Sequence, residues 1–127
     1  MKLALTALLV RDYDEAIDWY CQVLGFRLVA DRDMGSGKRW VEIAADDGGA
    51  LLLAKAIKPG EVAAVGNQHG GRVGLFLHSD DFDATYGRLV EANARFDEQP
   101  RIEPYGKVVV FRDLYGNRWD LIEPAKE

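Results

Sequence analysis

An α+β fold of two βαβββ modules is predicted by three observations. The first is a repeated Asp-aromatic-Asp segment: Asp12-Tyr13-Asp14 returns in the second half of the chain as Asp81-Phe82-Asp83. The second is that each copy follows an apolar strand-like run and precedes apolar residues at helical spacing. The third is that three short strand candidates follow each helix, separated by turns rich in Asp, Asn and Gly.

The first module opens with Leu3 to Val10, an apolar run of strand length. Ala16, Trp19, Tyr20, Val23 and Leu24 then share one helical face, and Gly25 supplies the residue without Cβ strain that ends a helix. Asp12 or Asp14 can accept from the free N–H groups of the first turn. Strands are expected over Phe26 to Ala30, Trp40 to Ala44 and Ala50 to Ala54, the last two joined by Asp46-Asp47-Gly48-Gly49. The second module repeats the order. Val73 to Leu77 is its first strand, and Tyr86, Leu89 and Val90 mark its helix, capped by Asp81 or Asp83. A weak strand near Phe96, then Val108 to Phe111 and Trp119 to Ile122, complete it, with a turn at Asp113-Leu114-Tyr115-Gly116-Asn117. Ile57 to Gly71, with Pro59 and several glycines, reads as a linker long enough to serve as a lid or partner contact. The modules are therefore placed at about 1–57 and 71–127 of a single domain. Pro100 to Gly106 is expected to be a rigid loop before a strand.

The 127 residues are 48% hydrophobic and 29% charged, which suits one globular domain and argues against disorder. The net charge of −5 disfavours nucleic acid, whose binding rests on clustered cations. No apolar run reaches the roughly 20 residues of a membrane span, and the start lacks a secretory pattern. Cys21 is the only cysteine, so an intrachain disulfide and a cysteine zinc cluster are both excluded. A cytoplasmic protein is expected. There is no phosphate-binding loop, Gly-x-Gly-x-x-Gly or Gly-x-Ser-x-Gly.

The paired modules resemble the glyoxalase/bleomycin-resistance/dioxygenase (vicinal oxygen chelate) superfamily. So do Val10-Arg11-Asp12-Tyr13-Asp14-Glu15-Ala16, Tyr20 with Leu24-Gly25-Phe26, and Phe111-Arg112-Asp113-Leu114-Tyr115-Gly116-Asn117. The Asp-x-x-Gly-Asn turn is the most specific piece. The resemblance implies an open, mixed eight-stranded barrel-like sheet with helices outside, often in a homodimer. It does not fix the chemistry, because members include glyoxalase I, ring-cleaving dioxygenases, epimerases, fosfomycin-resistance transferases and bleomycin-binding proteins.

Metal-dependent members carry His, Glu, His and Glu on their first, fourth, fifth and eighth strands. Transferred here, those positions fall on Leu5, Leu53, Arg72 and Asp120, with Leu5 and Arg72 spaced just as Leu53 and Asp120 are. Leucine has no donor atom, and the arginine cation repels a metal. No metal and no other cofactor is expected. Strand alternation adds Trp40, Glu42, Phe76 and Phe111 to the cavity lining, with Tyr105 at its mouth. The expected binding residues are thus Arg72, Asp120, Glu42, Trp40, Phe76, Phe111, Tyr105, Leu5 and Leu53. Arg72 and Asp120 are expected within direct or one-water reach, either as part of a ligand site or simply neutralising each other. Glu42 faces solvent instead if its strand is shifted by one residue. His69 and His78 are expected at the surface. The favoured function is metal-free binding of a small organic molecule by a homodimer, with no nucleic-acid or membrane partner. A lyase or isomerase of the same superfamily, and a ligand-free structural or regulatory dimer, are the alternatives.

Overall fold

A computed structural model describes residues 1–126. The chain divides into two compact units, Met1–Val65 and Gly66 onward. The division falls inside the segment expected to be a linker.

The N-terminal unit contains β1 (Thr6–Val10), α1 (Tyr13–Leu24), β2 (Arg27–Gly35), β3 (Lys38–Ala44), β4 (Ala50–Lys55) and α2 (Pro59–Ala64). Its sheet has the order β1-β4-β3-β2, parallel only between β1 and β4. Asp12 caps α1, its carboxylate accepting from the Glu15 N–H at 2.9 Å. Gly25 ends the helix at φ 74°, a left-handed conformation that costs glycine nothing. Tyr13, Ala16, Tyr20 and Leu24 form the buried face of α1. The sheet supplies Leu8, Val10, Val41, Ile43, Leu51 and Leu53, all buried. Each large aliphatic side chain removed from water stabilises the unit by roughly 1.5–3 kcal/mol before entropic costs. The segment expected to be a linker holds the short helix α2, started by Pro59 in the first turn, where its missing N–H is not needed.

The C-terminal unit contains β5 (Leu75–His78), α3 (Phe82–Glu91), β6 (Arg95–Phe96), β7 (Arg101–Glu103), β8 (Gly106–Arg112) and β9 (Arg118–Pro124). Its sheet has the order β5-β9-β8-β6, with β7 also pairing β8. Asp81 caps α3 through the Ala84 N–H at 3.1 Å. The buried face of α3 is Phe82, Thr85 and Leu89, while Val90 is exposed, a rotation of the helix from the expected Tyr86-Leu89-Val90 face. Val109, Phe111, Trp119 and Leu121 form the buried face of the sheet.

The fold is α+β, consistent with the glyoxalase fold. Nine strands rather than eight lie in two mixed sheets among the described residues, and neither sheet closes into a barrel. The extra strand is β7, in the segment expected to be a loop. Pro104 and Tyr105 make a two-residue turn, across which Glu103 pairs with Gly106 and Arg101 with Val108.

The Asp-x-x-Gly-Asn turn between β8 and β9 is a buried hydrogen-bond knot. Asp113 Oδ1 accepts from the backbone N–H groups of Tyr115, Gly116 and Asn117 at 2.9–3.1 Å. Its Oδ2 accepts from the Asn117 side-chain amide at 3.0 Å and the Trp119 indole at 2.9 Å. Gly116 stands at φ 104°, closed to most side chains. The most specific motif of the sequence therefore holds a turn in shape.

Candidate functional site

Each sheet has one face under its helix and one face turned away. In the C-terminal unit, Phe76, Asp120 and Val110 lie side by side across β5, β9 and β8 on the face away from α3. His78, Ile122 and Val108 make the next row. Phe76 is 59% exposed, although it sits in the middle of a strand. Val108 and Val110 are buried, and the segment running into β7 lies along the edge of β8 beside them.

A single guanidinium organises that segment. Arg101 donates from Nε to Glu98 at 3.0 Å, and from one terminal nitrogen to Glu103 at 3.0 Å and the Tyr105 hydroxyl at 3.3 Å. The other Glu98 oxygen accepts the Val110 N–H at 2.9 Å. The acceptors around Arg101 hold its guanidinium firmly protonated. Beside this network, Asp120 is left out: its Oδ1 is buried with no hydrogen-bond partner. Burial pushes the Asp120 carboxyl above the usual carboxylate range; Arg101 opposes the shift, Glu98 adds to it, and Arg118 opposes it less.

In the N-terminal unit, the matching row is Ala7, Leu52, Glu42 and Ala30 across β1, β4, β3 and β2. Trp40 lies on the same face, and its indole N–H donates to Glu42 Oε1 at 2.7 Å. The register shift that would turn Glu42 to the other face is absent here. An open groove of about 570 Å³ is lined by Leu3, Leu5, Glu42, Gly48 and Ala50 among others. That is the size range of small-molecule sites.

The expected binding residues are only partly brought together. Phe76 and Asp120 are neighbours on one open face, and Trp40, Glu42 and half-buried Leu5 share another. Tyr105 reaches Arg101. Arg72 is exposed in the bend before β5, against a cleft of only about 20 Å³ that His69, Arg112 and Arg118 also line. Arg72 is not among the charges that act on Asp120; Arg101 and, less, Arg118 favour its anion, while Glu98 disfavours it. Leu53 and Phe111 are corrections. Leu53 pairs with Leu8 and Val41 in the core under α1, and Phe111 stacks on Trp119 with no exposure.

One cause explains the Leu53 correction. Equivalent places in the two sheets are Ala7 with Phe76, Glu42 with Val110, and Leu52 with Asp120. Matching Leu53 to Asp120 instead shifts one strand by a single residue, which moves its side chains to the opposite face. Leu52, not Leu53, holds the place of Asp120. Glu98 is not among the expected binding residues, and Arg101 is expected in a loop, from which it could also meet a ligand or a partner. The signal for them is the pair Pro100 and Pro104, bracketing a charged segment that must turn sharply.

The metal positions of the resemblance can be tested on donor chemistry. With Leu5, Leu52 or Leu53, and Arg72, only Asp120 offers an oxygen to a divalent ion. Among the described residues, no group of three or more His, Cys, Asp or Glu side chains is placed to hold one. The residues do not fit a metal of the family type.

The sequence model of the Glyoxalase/Bleomycin resistance protein/Dioxygenase superfamily matches residues 2–121. The chain belongs to this superfamily. A protein of Shewanella frigidimarina (strain NCIMB 400) is 48% identical over 120 residues, covering 92% of this chain and 89% of that protein. Two solved structures from Streptomyces sp. CB03234 are similar to it. TnmS3, described as an antibiotic binding protein, is 31% identical with a TM-score of 0.77, covering 98% of this chain and 97% of its own. A glyoxalase/bleomycin resistance protein is also 31% identical, with a TM-score of 0.73, covering 96% of this chain and 100% of its own. No helix of the described superfamily domain is long and apolar enough to cross a membrane.

Proposed function

We propose that this chain is a metal-independent binding protein that sequesters a small, largely apolar organic molecule, working in the cytoplasm as a homodimer. The observation that carries the reading is the open face of the C-terminal unit. It combines an exposed aromatic ring, Phe76, with a carboxyl, Asp120, that no protein group satisfies. A monomer gains nothing from exposing Phe76 in the middle of a strand, and an apolar surface with a few polar groups is the usual lining of a small-molecule site. The replacement of metal donors by leucine and arginine supports independence from metal. Likeness to TnmS3 supports a natural-product ligand of the antibiotic kind. Dimerisation is supported by β2, a nine-residue edge strand that exposes Leu28, Val29 and Met34.

The test is thermal unfolding of chelator-treated protein against a panel of aromatic antibiotics. A ligand of the native state raises Tm by mass action, by several degrees at a hundredfold excess over Kd. A rise in Tm without added metal is expected. No response from any compound, or a response only after a divalent ion is added, would overturn the proposal. Sedimentation at micromolar concentration is expected to give twice the mass of one chain.

A further inference from the structure

The two open sheet faces carry equivalent rows of residues, but their acidic groups are treated differently. Glu42 is engaged by the Trp40 indole N–H at 2.7 Å. Asp120 has a buried oxygen with no partner, although a guanidinium with several donors lies nearby. Arg101 spends its donors on Glu98, Glu103 and Tyr105 instead. Those three acceptors hold the cation in place and keep it from turning to Asp120. The flanks of Asp120 give it nothing: Phe76 and Val110, its neighbours across the sheet, have no side-chain donors.

A half-buried carboxyl without a donor is costly, and its burial makes it a poorer anion than an exposed aspartate. A folded protein tolerates such a group at little benefit to itself unless something else completes it. The apolar neighbours settle what kind of molecule can do so. It must place a ring or alkyl surface against Phe76 and Ile122, and it must present a hydrogen-bond donor at the centre of that surface. A ligand with acceptors only would bury the carboxyl further and leave it unpaired, which is penalised more than a missing contact.

We propose that Asp120 is the specificity-determining residue of the ligand face, selecting apolar ring compounds that carry a hydroxyl or ammonium donor over otherwise identical compounds that lack one. This rests on the small-molecule reading above and sharpens it to one atom group and one ligand chemistry. The carboxylate accepts either donor, and an ammonium adds charge attraction.

Three matched probes test it: 2-naphthylmethanol, its methyl ether, and 2-naphthylmethylamine, titrated at neutral pH into full-length protein and followed by backbone amide NMR shifts. For the natural sequence, the alcohol and the amine are expected to bind at least about tenfold more tightly than the ether, with shifts centred on Phe76, Asp120 and Ile122. In Asp120→Leu, the preference is expected to fall below about threefold while ether binding stays or improves. In Asp120→Asn, which keeps a carbonyl acceptor, the alcohol preference should survive and the amine advantage should vanish. Both variants remove an unpartnered acid and are expected to stay folded, which the same spectra report. Equal binding of all three probes, or a preference that survives in Asp120→Leu, would overturn the inference and leave the binding reading standing. Failure of every probe to shift the resonances of this face would overturn both.

Discussion

The open faces of the two units are built on one plan and end in opposite states. Across the N-terminal sheet run Ala7, Leu52, Glu42 and Ala30; across the C-terminal sheet run Phe76, Asp120 and Val110. In the first, the acid stands on the third strand of the row and is satisfied by Trp40 on its own strand. In the second, the acid has moved one strand over, between a phenyl ring and a valine, and its buried Oδ1 has no hydrogen-bond partner. A duplicated scaffold thus holds one closed polar pair and one open valence. On the proposed function, the difference separates a residue that serves the fold from a residue that receives a ligand.

The largest expected effect comes from the knot that holds β8 against β9 and so carries Asp120. Asp113→Ala removes the shared acceptor of three backbone N–H groups and the Trp119 indole, and buried donors cannot turn to water. A loss of about 3 kcal/mol or more in urea unfolding is expected. A loss under about 1 kcal/mol would mean that the turn holds itself.

Next in size is Trp40→Phe, which gives the N-terminal face the unsatisfied acid that the C-terminal face already has. Loss of the indole donor and some packing is expected to cost about 1–2 kcal/mol, read as a lower denaturation midpoint with an unchanged slope. Combining it with Glu42→Gln should recover part of that cost, since a neutral amide is cheaper to leave unpaired than a carboxylate.

Asp120→Asn is expected to move stability the other way. Burial raises the Asp120 carboxyl above its unfolded value, so the native protein loses stability as pH rises through the folded value and recovers it as pH falls. The variant should therefore be more stable than the natural sequence at pH 7, with the advantage fading toward low pH. Unfolding measured from pH 7 down to pH 3 checks both the sign and the slope. A variant less stable at pH 7 would mean that Asp120 has a structural partner.

The smallest effect lies at the surface, where Asp97 bridges Arg112 and Arg118 at 3.0 Å each. Bonding to Arg112 leads the lowering of its carboxyl below the usual range, so its contribution is present at neutral pH and is lost as pH falls through that lowered value. Asp97→Asn is expected to cost about 0.5 kcal/mol at low salt and less at high salt, because these groups are largely solvated.

Much of this fold was legible in the sequence, because its signals are local. Asp12 and Asp81 cap their helices as their position before an apolar helical face requires, and Gly25 ends α1. The site was less legible, since it depends on register. The side-chain period of a strand is two, so one residue of error in the spacing between modules put Leu53 in a cavity and left Leu52 unnoticed. Phe111 was lost in the same way, to the stack on Trp119. Arg72 is the partner that place in the repeat predicts for Asp120. The charges that act on it most, Arg101 and Glu98, come from an edge strand broken into β6 and β7, whose counterpart in the first module is the unbroken β2, so the repeat itself does not mark them.

On the proposed function, the C-terminal open face binds a small organic molecule without a metal. This binding is tested most directly by amide NMR of chelator-treated protein, titrated with a compound that raises its Tm. Shifts concentrated at Phe76, Asp120 and Ile122 that saturate in the presence of chelator are the expected result. Shifts confined to other surfaces, or arising only after a divalent ion is restored, would contradict it.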